Sequence, residues 1–410
     1  MKQIYLDHAA TTYLDPRVKR AMEPFWDQEF GNPSSFHSVG KHAKEAVDAA
    51  RGQIAKILGC RESEIIFTMG GTESDNLAIF GVTKALEKSG KHIITSKIEH
   101  PAVWHSCEKL EKEGNAERSQ NHAERGGWKV SYIKVDRQGI IDLKELTAAI
   151  TPETVLVSVM YANNEIGTVE PIQEIAKIIR QKREEFGTKT PYFHTDACQA
   201  AGALPMNVAK LGVDLLTFNG SKIYGPKGIG ALYVKTGTPL TPILSGGGQE
   251  RGFRSGTENV PAIVGLGAAL KITEEEKEKE NARLIKLRDY LIKNLLKIPK
   301  TILNGHPELR LPNNVNISFM DIEGEAMVLY LDSYGIYAAT GSACQSATLE
   351  PSHVIRAIGL PYEAAHGSLR LSLGRRTTKA DLDYLLKVLP GIVEKLRAIS
   401  PVKLNMKHYS

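Results

Sequence analysis

Cysteine is scarce in this chain. The sequence of 410 residues contains four cysteines, which are far apart and form no Cys-x-x-Cys pair: Cys60, Cys107, Cys198 and Cys344. This spacing argues against a zinc knuckle and a disulfide framework, since both need thiols at short or regular spacings. It predicts a reduced, cytoplasmic protein in which any cysteine chemistry comes from a single thiol.

Long apolar runs and a strong charge of one sign are also missing. No apolar run approaches the ~20 residues needed to span a membrane. The N-terminal residues MKQIYLDHAATTYLD lack the apolar stretch of a signal peptide. The formal net charge is +5, and the basic residues are scattered along the chain. The sequence therefore predicts no membrane segment and argues against nucleic acid as the main partner.

What the sequence does contain, from residue 64 onward, is a regular alternation of apolar and amphipathic segments. The apolar segments have strand length, and they include EIIFT, HIITS, TVLVSVMY, YFHTD and DLLTF. Helix-length segments separate most of them. This order predicts an α/β protein whose mostly parallel sheet is covered on both faces.

The length of the chain suits two or three domains. We predict a large domain over residues 16–262 and a smaller α+β domain made of residues 1–15 and 263–410. A charged segment from residue 273, TEEEKEKENARLIKLRDYLIKNLLKI, is predicted to form one long helix that bridges the two. Residues 114–127, GNAERSQNHAERGG, are polar, and we predict a surface insertion without regular structure.

Four predicted strands are followed by small or polar residues. The motifs are Gly70-Gly71-Thr72, Glu99-His100-Pro101, Asn163-Asn164-Glu165 and Asp196-Ala197-Cys198-Gln199. Each has a plainer interpretation: a capping box over Thr72 to Asp75, a packing histidine, an Asn-rich turn and a buried N-cap. Ligands of α/β proteins bind at the carboxyl ends of the strands. Together the motifs supply an anion-binding turn, a flat histidine ring, side-chain amides and a carboxylate. These groups suit the binding of a phosphorylated heteroaromatic ring.

Lys222 lies between two predicted strands, flanked by small polar residues in NGSKIYGPKG. A surface hairpin lysine is the plainer interpretation, and contact with a phosphate is a second one. A third is a desolvated amine that forms a Schiff base. The motifs at the strand ends favour the third. The cofactor that fits is pyridoxal 5'-phosphate, with Asp196 keeping its pyridine nitrogen protonated.

Two later motifs add a thiol and a guanidinium group. Cys344 lies in a loop of small residues, TGSACQSA, where a thiol can ionise and act as a nucleophile. The other three cysteines follow helical or strand-flanking patterns and are interpreted as small hydrophobic residues. Arg370 stands between apolar residues in GSLRLSLG; it either binds a substrate carboxylate or is an edge-strand arginine.

The motifs together resemble those of pyridoxal-phosphate-dependent cysteine desulfurases of the NifS/IscS type, within the class V aminotransferases. The resemblance covers nearly the whole chain, through motifs such as YLDHAATT, FGNPSS, TESDNLAI, NNEIGT, SKIYGPKGIGALYV, GGGQERGFRSGT and SACQSATLEPSHV. It implies the fold type I architecture of pyridoxal-phosphate enzymes. It also implies a homodimer that converts L-cysteine to L-alanine and passes the sulfur to an iron–sulfur scaffold protein or another acceptor.

The resemblance also implies a role for individual residues. Lys222 corresponds to the Schiff-base lysine, Cys344 to the thiol that takes up sulfur, and Arg370 to the binding site of the substrate carboxylate. His100 stacks on the cofactor ring and is the candidate to take the thiol proton, and Asp196 faces the pyridine nitrogen. The remaining contacts to the cofactor are assigned to Gly71, Thr72, Asn164, Gln199, Asn219, Ser221 and, from the other subunit, Thr257. Asn164 is also assigned to substrate binding, and Cys344 to transient ligation of an iron–sulfur cluster; no resident metal is expected.

The sequence departs from the family in its lysine motif. Ser221 stands where a histidine is usual, and Asn219 stands where a serine is frequent; both can hydrogen-bond a phosphate. Two alternatives therefore stay open. One is a selenocysteine lyase or another β-eliminating enzyme on the same fold. The other is an inactive protein that binds the cofactor and serves as an assembly partner.

Overall fold

The computed structural model describes residues 3–119, 127–341 and 351–401. Its strands, in chain order, are β1 (Ile4–Tyr5), β2 (Ile65–Thr68), β3 (His92–Ser96), β4 (Lys129–Ile133), β5 (Thr154–Ser158), β6 (Tyr192–Asp196), β7 (Leu215–Asn219), β8 (Gly230–Val234), β9 (Thr301–Leu303), β10 (Asn314–Phe319), β11 (Ile336–Tyr337) and β12 (Ser368–Ser372).

The α-helices among the described residues are α1 (Pro16–Met22), α2 (Pro24–Asp27), α3 (Ser38–Leu58), α4 (Gly71–Ala85), α5 (Pro101–Ser119), α6 (Leu143–Ala149), α7 (Ile172–Phe186), α8 (Val208–Leu211), α9 (Val260–Leu295), α10 (Gly324–Ser333), α11 (His353–Ala357), α12 (Tyr362–His366) and α13 (Lys379–Ile399). Short 3-10 helices cover Glu62–Glu64, Gly220–Lys222 and Glu250–Gly252.

The central sheet has the strand order β2-β8-β7-β6-β5-β3-β4. Strand β8 runs antiparallel to both of its neighbours, and the other pairs are parallel. This confirms the predicted α/β class with its mostly parallel sheet. Strands β2, β3, β5, β6 and β7 therefore run in the same direction and end at one edge, where the chain continues into the four predicted polar motifs and Lys222.

Successive residues of the central strands face opposite layers of helices. Phe67 packs with residues of α3 and α9, whereas its neighbour Ile66 packs with residues of α4 and α5. The same alternation separates Leu216 from Leu215. Because side chains alternate along a strand, a strand covered on both faces has to be apolar throughout. This explains why the central strands are continuous apolar runs in the sequence.

A second group of strands packs around the C-terminal helices. Strands β12, β10 and β9 form an antiparallel sheet in that order, and β1 pairs in parallel with β11. Ile4 and Leu6 belong to the apolar cluster of this region, together with residues of β10, β12 and α13. The long helix α9 contributes Leu266 to the cluster of the central sheet and Leu291 to this second cluster.

Two predictions about local structure were wrong. The helix predicted from residue 273 begins at Val260, where Asn259 accepts a hydrogen bond from the Ala262 N–H and Pro261 occupies the first turn. The segment predicted to lack structure from residue 114 continues helix α5 as far as Ser119. Within the described ranges, no helix is long and apolar enough to cross a membrane.

Candidate active site

A cavity of about 240 Å³ opens at the carboxyl edge of the parallel strands. Nine residues assigned to a site from the sequence line it: Gly71, Thr72, His100, Asn164, Asp196, Gln199, Asn219, Lys222 and Arg370. They come from the ends of five strands, from the segments that follow these ends and from β12, so they are up to 299 positions apart in the sequence (370 − 71). The fold thus brings together residues that the sequence places in separate motifs.

Two described residues that were assigned from the sequence do not line this cavity. Ser221 is half-buried next to Lys222, and its hydroxyl donates to the side chain of Asn219 at 3.2 Å. Thr257 is exposed and lines a separate cavity beside Met69 and Gly228. Cys344 lies outside the described residues.

The turn between β2 and α4 presents backbone N–H groups to the cavity. The N-cap of α4 is Gly70, and no side chain caps it. The predicted capping box over Thr72 to Asp75 was therefore wrong, because the helix begins earlier, at Gly71. Glu73 instead accepts a hydrogen bond from the Met69 N–H at 2.7 Å, outside the helix. An uncapped helix N-terminus that faces a cavity is suited to binding an anion.

Two glycines allow the chain to pack closely at this turn. A Cβ atom at Gly71 would lie 2.8 Å from the Cys198 sulfur and 3.1 Å from the Asn219 amide nitrogen. A Cβ at Gly230, on β8, would lie 2.7 Å from the Gly70 carbonyl carbon. The contacts of 2.8 Å and 2.7 Å are too short for a Cβ atom, so a larger residue at either position would displace its neighbours at the helix N-terminus.

Asp196 ends β6 and is almost fully buried. Its Oδ1 accepts a hydrogen bond from the Cys198 N–H at 2.8 Å, which favours the ionised carboxylate. Cys198 is itself buried, and burial, followed by the negative charge of Asp196, raises the pKa of its thiol well above the usual value. Cys198 therefore lines the cavity as an uncharged thiol, which agrees with its interpretation as a small hydrophobic residue.

His100 lines the cavity immediately before α5. Burial lowers the pKa of its ring below the usual value, and the nearby charge of Asp196 opposes this effect only in part. Its Nδ1 accepts a hydrogen bond from the Ala102 N–H at 3.1 Å. The neutral ring must therefore carry its hydrogen on Nε2, because Nδ1 is occupied as an acceptor.

Lys222 ends a 3-10 turn that follows β7, and the N-terminal segment of the chain supports this turn. The backbone N–H of Thr12 donates to the Ser221 carbonyl at 2.8 Å, and its hydroxyl donates to the same oxygen at 2.9 Å. The Thr12 hydroxyl also accepts from the Tyr224 N–H at 2.8 Å. The Lys222 ammonium group donates to the Ala10 carbonyl. Residues 10–12 thus fix both the backbone and the side chain of Lys222.

Arg370 is 3% exposed and reaches the cavity from β12. Its guanidinium donates to the Asp7 carboxylate at 2.9 Å and to the Asn164 carbonyl at 3.1 Å. In the part of the chain that the structure describes, its Nε–H has no hydrogen-bond partner although it is buried. A buried donor without a partner is costly, so this N–H is available for a ligand carboxylate.

The structure places functional contacts at residues that the motifs did not single out. Asp7 pairs with Arg370, Thr12 supports the lysine turn, and Asp75 lines the cavity from α4. Asp7 and Thr12 have a partial signal in the sequence, since their segment YLDHAATT lacks periodicity. Asp75 has none, because its position near the start of a helix is typical of a capping residue.

A family model described as "Aminotransferase class-V" matches residues 4–385. The chain belongs to this family. Class V aminotransferases of the cysteine desulfurase type use pyridoxal 5'-phosphate.

Relatives of this class V chain carry a common name. This chain is 52% identical over 401 residues to "Cysteine desulfurase IscS" of Methanosarcina thermophila. The match covers 98% of this chain and 94% of the relative. It is 50% identical over 407 residues to the protein of the same name from Dictyoglomus turgidum, with 99% and 98% coverage. A solved structure named "NIFS-like protein" superimposes with a TM-score of 0.87 at 37% identity, covering 96% of this chain and all of that one.

The residues of the cavity fit the cofactor of this class V family. The uncapped N-terminus of α4, where Gly71 and Thr72 line the cavity, has N–H donors for a phosphate. The buried Asp196 supplies an anion for a protonated pyridine nitrogen, and Lys222 supplies the amine that this cofactor requires. These residues thus match the phosphate, the pyridine nitrogen and the reactive carbon of the cofactor.

Replacing Gly71 with alanine should weaken pyridoxal phosphate binding by about tenfold or more. The new Cβ would collide with Cys198 and displace the donors of the helix N-terminus, each worth roughly 1.5–3 kcal/mol toward a charged group. Titration of the cofactor-free protein by cofactor absorbance measures the affinity. Gly391→Ala is the matched control, because a Cβ there meets nothing within 4 Å. Unchanged affinity in the Gly71 variant would place the phosphate elsewhere.

Proposed function

We infer that the chain is a pyridoxal-phosphate-dependent cysteine desulfurase, which converts L-cysteine to L-alanine and supplies the sulfur for iron–sulfur cluster assembly. The observation that carries this function is one cavity that combines Lys222, Asp196 and Arg370, in a chain about half identical to cysteine desulfurases. An amine, a buried acid and a carboxylate-binding guanidinium are the groups needed to act on an amino acid with this cofactor.

For the cofactor, we propose contacts with residues on all sides of the cavity. Gly71, Thr72 and Asn219 hold the phosphate, Asp196 holds the pyridine nitrogen, and His100 lies against the ring. Gln199 and Asn164 lie near the ring hydroxyl. Ser221 acts through Asn219, to which it donates a hydrogen bond. When bound, pyridoxal phosphate withdraws electrons from the substrate Cα–H bond and so makes this hydrogen acidic.

The chain's own residues then divide the reaction among them. Arg370, oriented by Asp7 and the Asn164 carbonyl, binds the substrate carboxylate. The Lys222 amine removes the Cα proton. The thiolate of Cys344 forms a bond to the substrate sulfur as the carbon–sulfur bond breaks, and the electron pair left on the carbon is protonated to give alanine. The balance is L-cysteine plus one enzyme thiol to L-alanine plus one enzyme persulfide.

His100 is proposed to take the proton of the attacking thiol. Its lowered pKa keeps the ring neutral at pH 7, as a base requires. In the resting geometry, however, Nδ1 is occupied by the Ala102 N–H. Proton uptake therefore requires release of that contact, which frees the Nδ1 lone pair to accept the proton.

Replacing His100 with alanine should lower kcat for alanine formation by about 10²–10⁴-fold while the protein still binds one cofactor. Single-turnover measurement of persulfide formation, beside the cofactor absorbance, separates the two effects. His100→Gln, which keeps a polar donor but no base, serves as the comparison. If turnover were normal in the alanine variant, His100 would have no role in proton transfer.

We further propose a cytoplasmic homodimer that hands sulfur to an iron–sulfur scaffold protein or another acceptor. The need for a free thiol supports the cytoplasmic location, because Cys344 can take up sulfur only when it is reduced. The position of Thr257 supports the dimer. It is exposed and lines a cavity apart from that of Lys222, as expected of a residue that completes the site of the other subunit.

We also propose the division into two domains, 16–262 and the remainder. The packing of Ile4 and Leu6 with residues 284–396 supports the assignment of the first residues to the smaller domain. Because α9 packs on both apolar clusters, we move the proposed border from residue 262 to the part of this helix between Leu270 and Leu284.

Incubation of the holoenzyme with L-cysteine and a reductant tests the function. We expect alanine and sulfide in equal amounts, and light scattering should give the mass of a dimer. Formation of pyruvate and ammonia with the sulfide would instead indicate elimination, and the desulfurase function would be rejected.

A further inference from the structure

Asp75 is a buried carboxyl group for which the proposed reaction has no task. It lies in the second turn of α4, is 1% exposed and lines the cavity. Within the described residues, its Oδ1 has no hydrogen-bond partner. A buried oxygen of this kind costs free energy unless it carries a proton or faces a ligand.

The polar groups around Asp75 include a second carboxylate. One donor atom from each of Asp75, Asp196 and His100 lies within 4.8 Å of the other two. The Nε2 of His194 is 3.6 Å from the Asp75 Oδ1. Burial lowers the pKa of His194 to about 4, so this neighbour is neutral and supplies no positive charge. Two carboxyl groups thus lie close together in a buried site.

Two carboxyl groups in such a site do not both ionise, because their charges repel in a medium of low polarity. Asp196 accepts the Cys198 N–H, which stabilises its ionised form, whereas the Asp75 Oδ1 accepts nothing. Burial, and then the charge of Asp196, raise the pKa of Asp75 well above the usual value, against a hydrogen bond with Thr217. The single proton of the pair therefore belongs on Asp75.

We propose that Asp75 is a positioning residue held as a neutral carboxylic acid, which keeps the one negative charge of the pair on Asp196. The link to catalysis rests on the proposed function, in which Asp196 faces the cofactor's pyridine nitrogen. A neutral, hydrogen-bonding group at position 75 keeps Asp196 anionic. An ionised group there would place a second negative charge beside that of Asp196, and the two charges would repel each other.

Infrared spectroscopy of the cofactor-free protein tests the protonation state directly. We expect the difference spectrum between wild type and Asp75→Asn at neutral pH to contain the carbonyl band of one protonated carboxylic acid. The subtraction removes the other buried acids, such as Glu99 and Glu165. A carboxylate band in its place would overturn the proposal. Because this measurement uses no substrate and no cofactor, it stands whether or not the chain proves to be a desulfurase.

Cofactor affinity distinguishes a neutral donor from a required charge. We expect Asp75→Asn, which keeps the shape and a donor, to bind pyridoxal phosphate within about threefold of wild type. Asp75→Leu should lose about tenfold, as for a lost hydrogen bond near a charged group. If the Asp75→Asn variant binds pyridoxal phosphate as weakly as the Asp75→Leu variant does, the proposed role of Asp75 as a neutral acid is wrong. Should the leucine variant not fold, the asparagine affinity and the infrared band decide the question.

Discussion

Replacing Lys222 with alanine is expected to lower the rate of alanine formation from L-cysteine by at least about 10²–10⁴-fold, the usual contribution of a catalytic base. The loss should be larger if the same amine also holds the cofactor, because one substitution then removes two functions. Rates of alanine formation at saturating cysteine measure the first effect. Borohydride reduction of the holoenzyme followed by peptide mass analysis identifies the lysine that is attached to the cofactor.

Lys227 provides a matched control for this experiment. It lies five residues later in the same connection between β7 and β8, and its ammonium group contacts the Thr12 carbonyl at 3.4 Å. It does not line the cavity that Lys222 lines. Lys227→Ala should therefore keep turnover and cofactor attachment. Cofactor attached to any lysine other than Lys222 would show that the anchor had been assigned to the wrong residue.

Replacing Cys344 with alanine is expected to abolish both alanine and sulfide production from L-cysteine while leaving the cofactor bound. The physical reason is that the carbon–sulfur bond breaks only as a thiolate takes the sulfur. The Cys198 thiol, which lines the cavity, is kept neutral because burial raises its pKa well above the usual value. Product quantification with a reductant measures the loss. In the wild type, mass analysis under non-reducing conditions should find one additional sulfur atom on the peptide that contains Cys344.

Cys60→Ala is the control for the thiol, because burial and then the charge of Glu64 raise its pKa to about 12 and make it unreactive. It should keep full activity. Activity that survives in Cys344→Ala would favour a selenocysteine lyase or another β-eliminating enzyme, since these reactions need no thiol acceptor. If wild type binds the cofactor but is inactive, the alternative of an assembly partner gains support.

Much of the fold could be predicted because local sequence determines it. Strands β3 and β6 match the predicted segments HIITS and YFHTD residue for residue. The spacing of apolar residues and the length of the segment identify such elements, since each one must bury its own apolar face. Capping and helix ends were less predictable, as α4 and α5 illustrate, because alternative hydrogen-bond partners compete there.

The sequence alone determined the order of strands and helices, the family resemblance, and the polar residues that follow the strands. Parallel strands end at a common edge, so a list of strand ends already approximates a list of site residues. Only the tertiary structure decided which distant side chains meet. It pairs Arg370 with Asp7, supports the Lys222 turn with Thr12, and buries Asp75 beside Asp196. Periodicity gives the direction of a side chain within its own element, whereas these contacts depend on how separate elements pack.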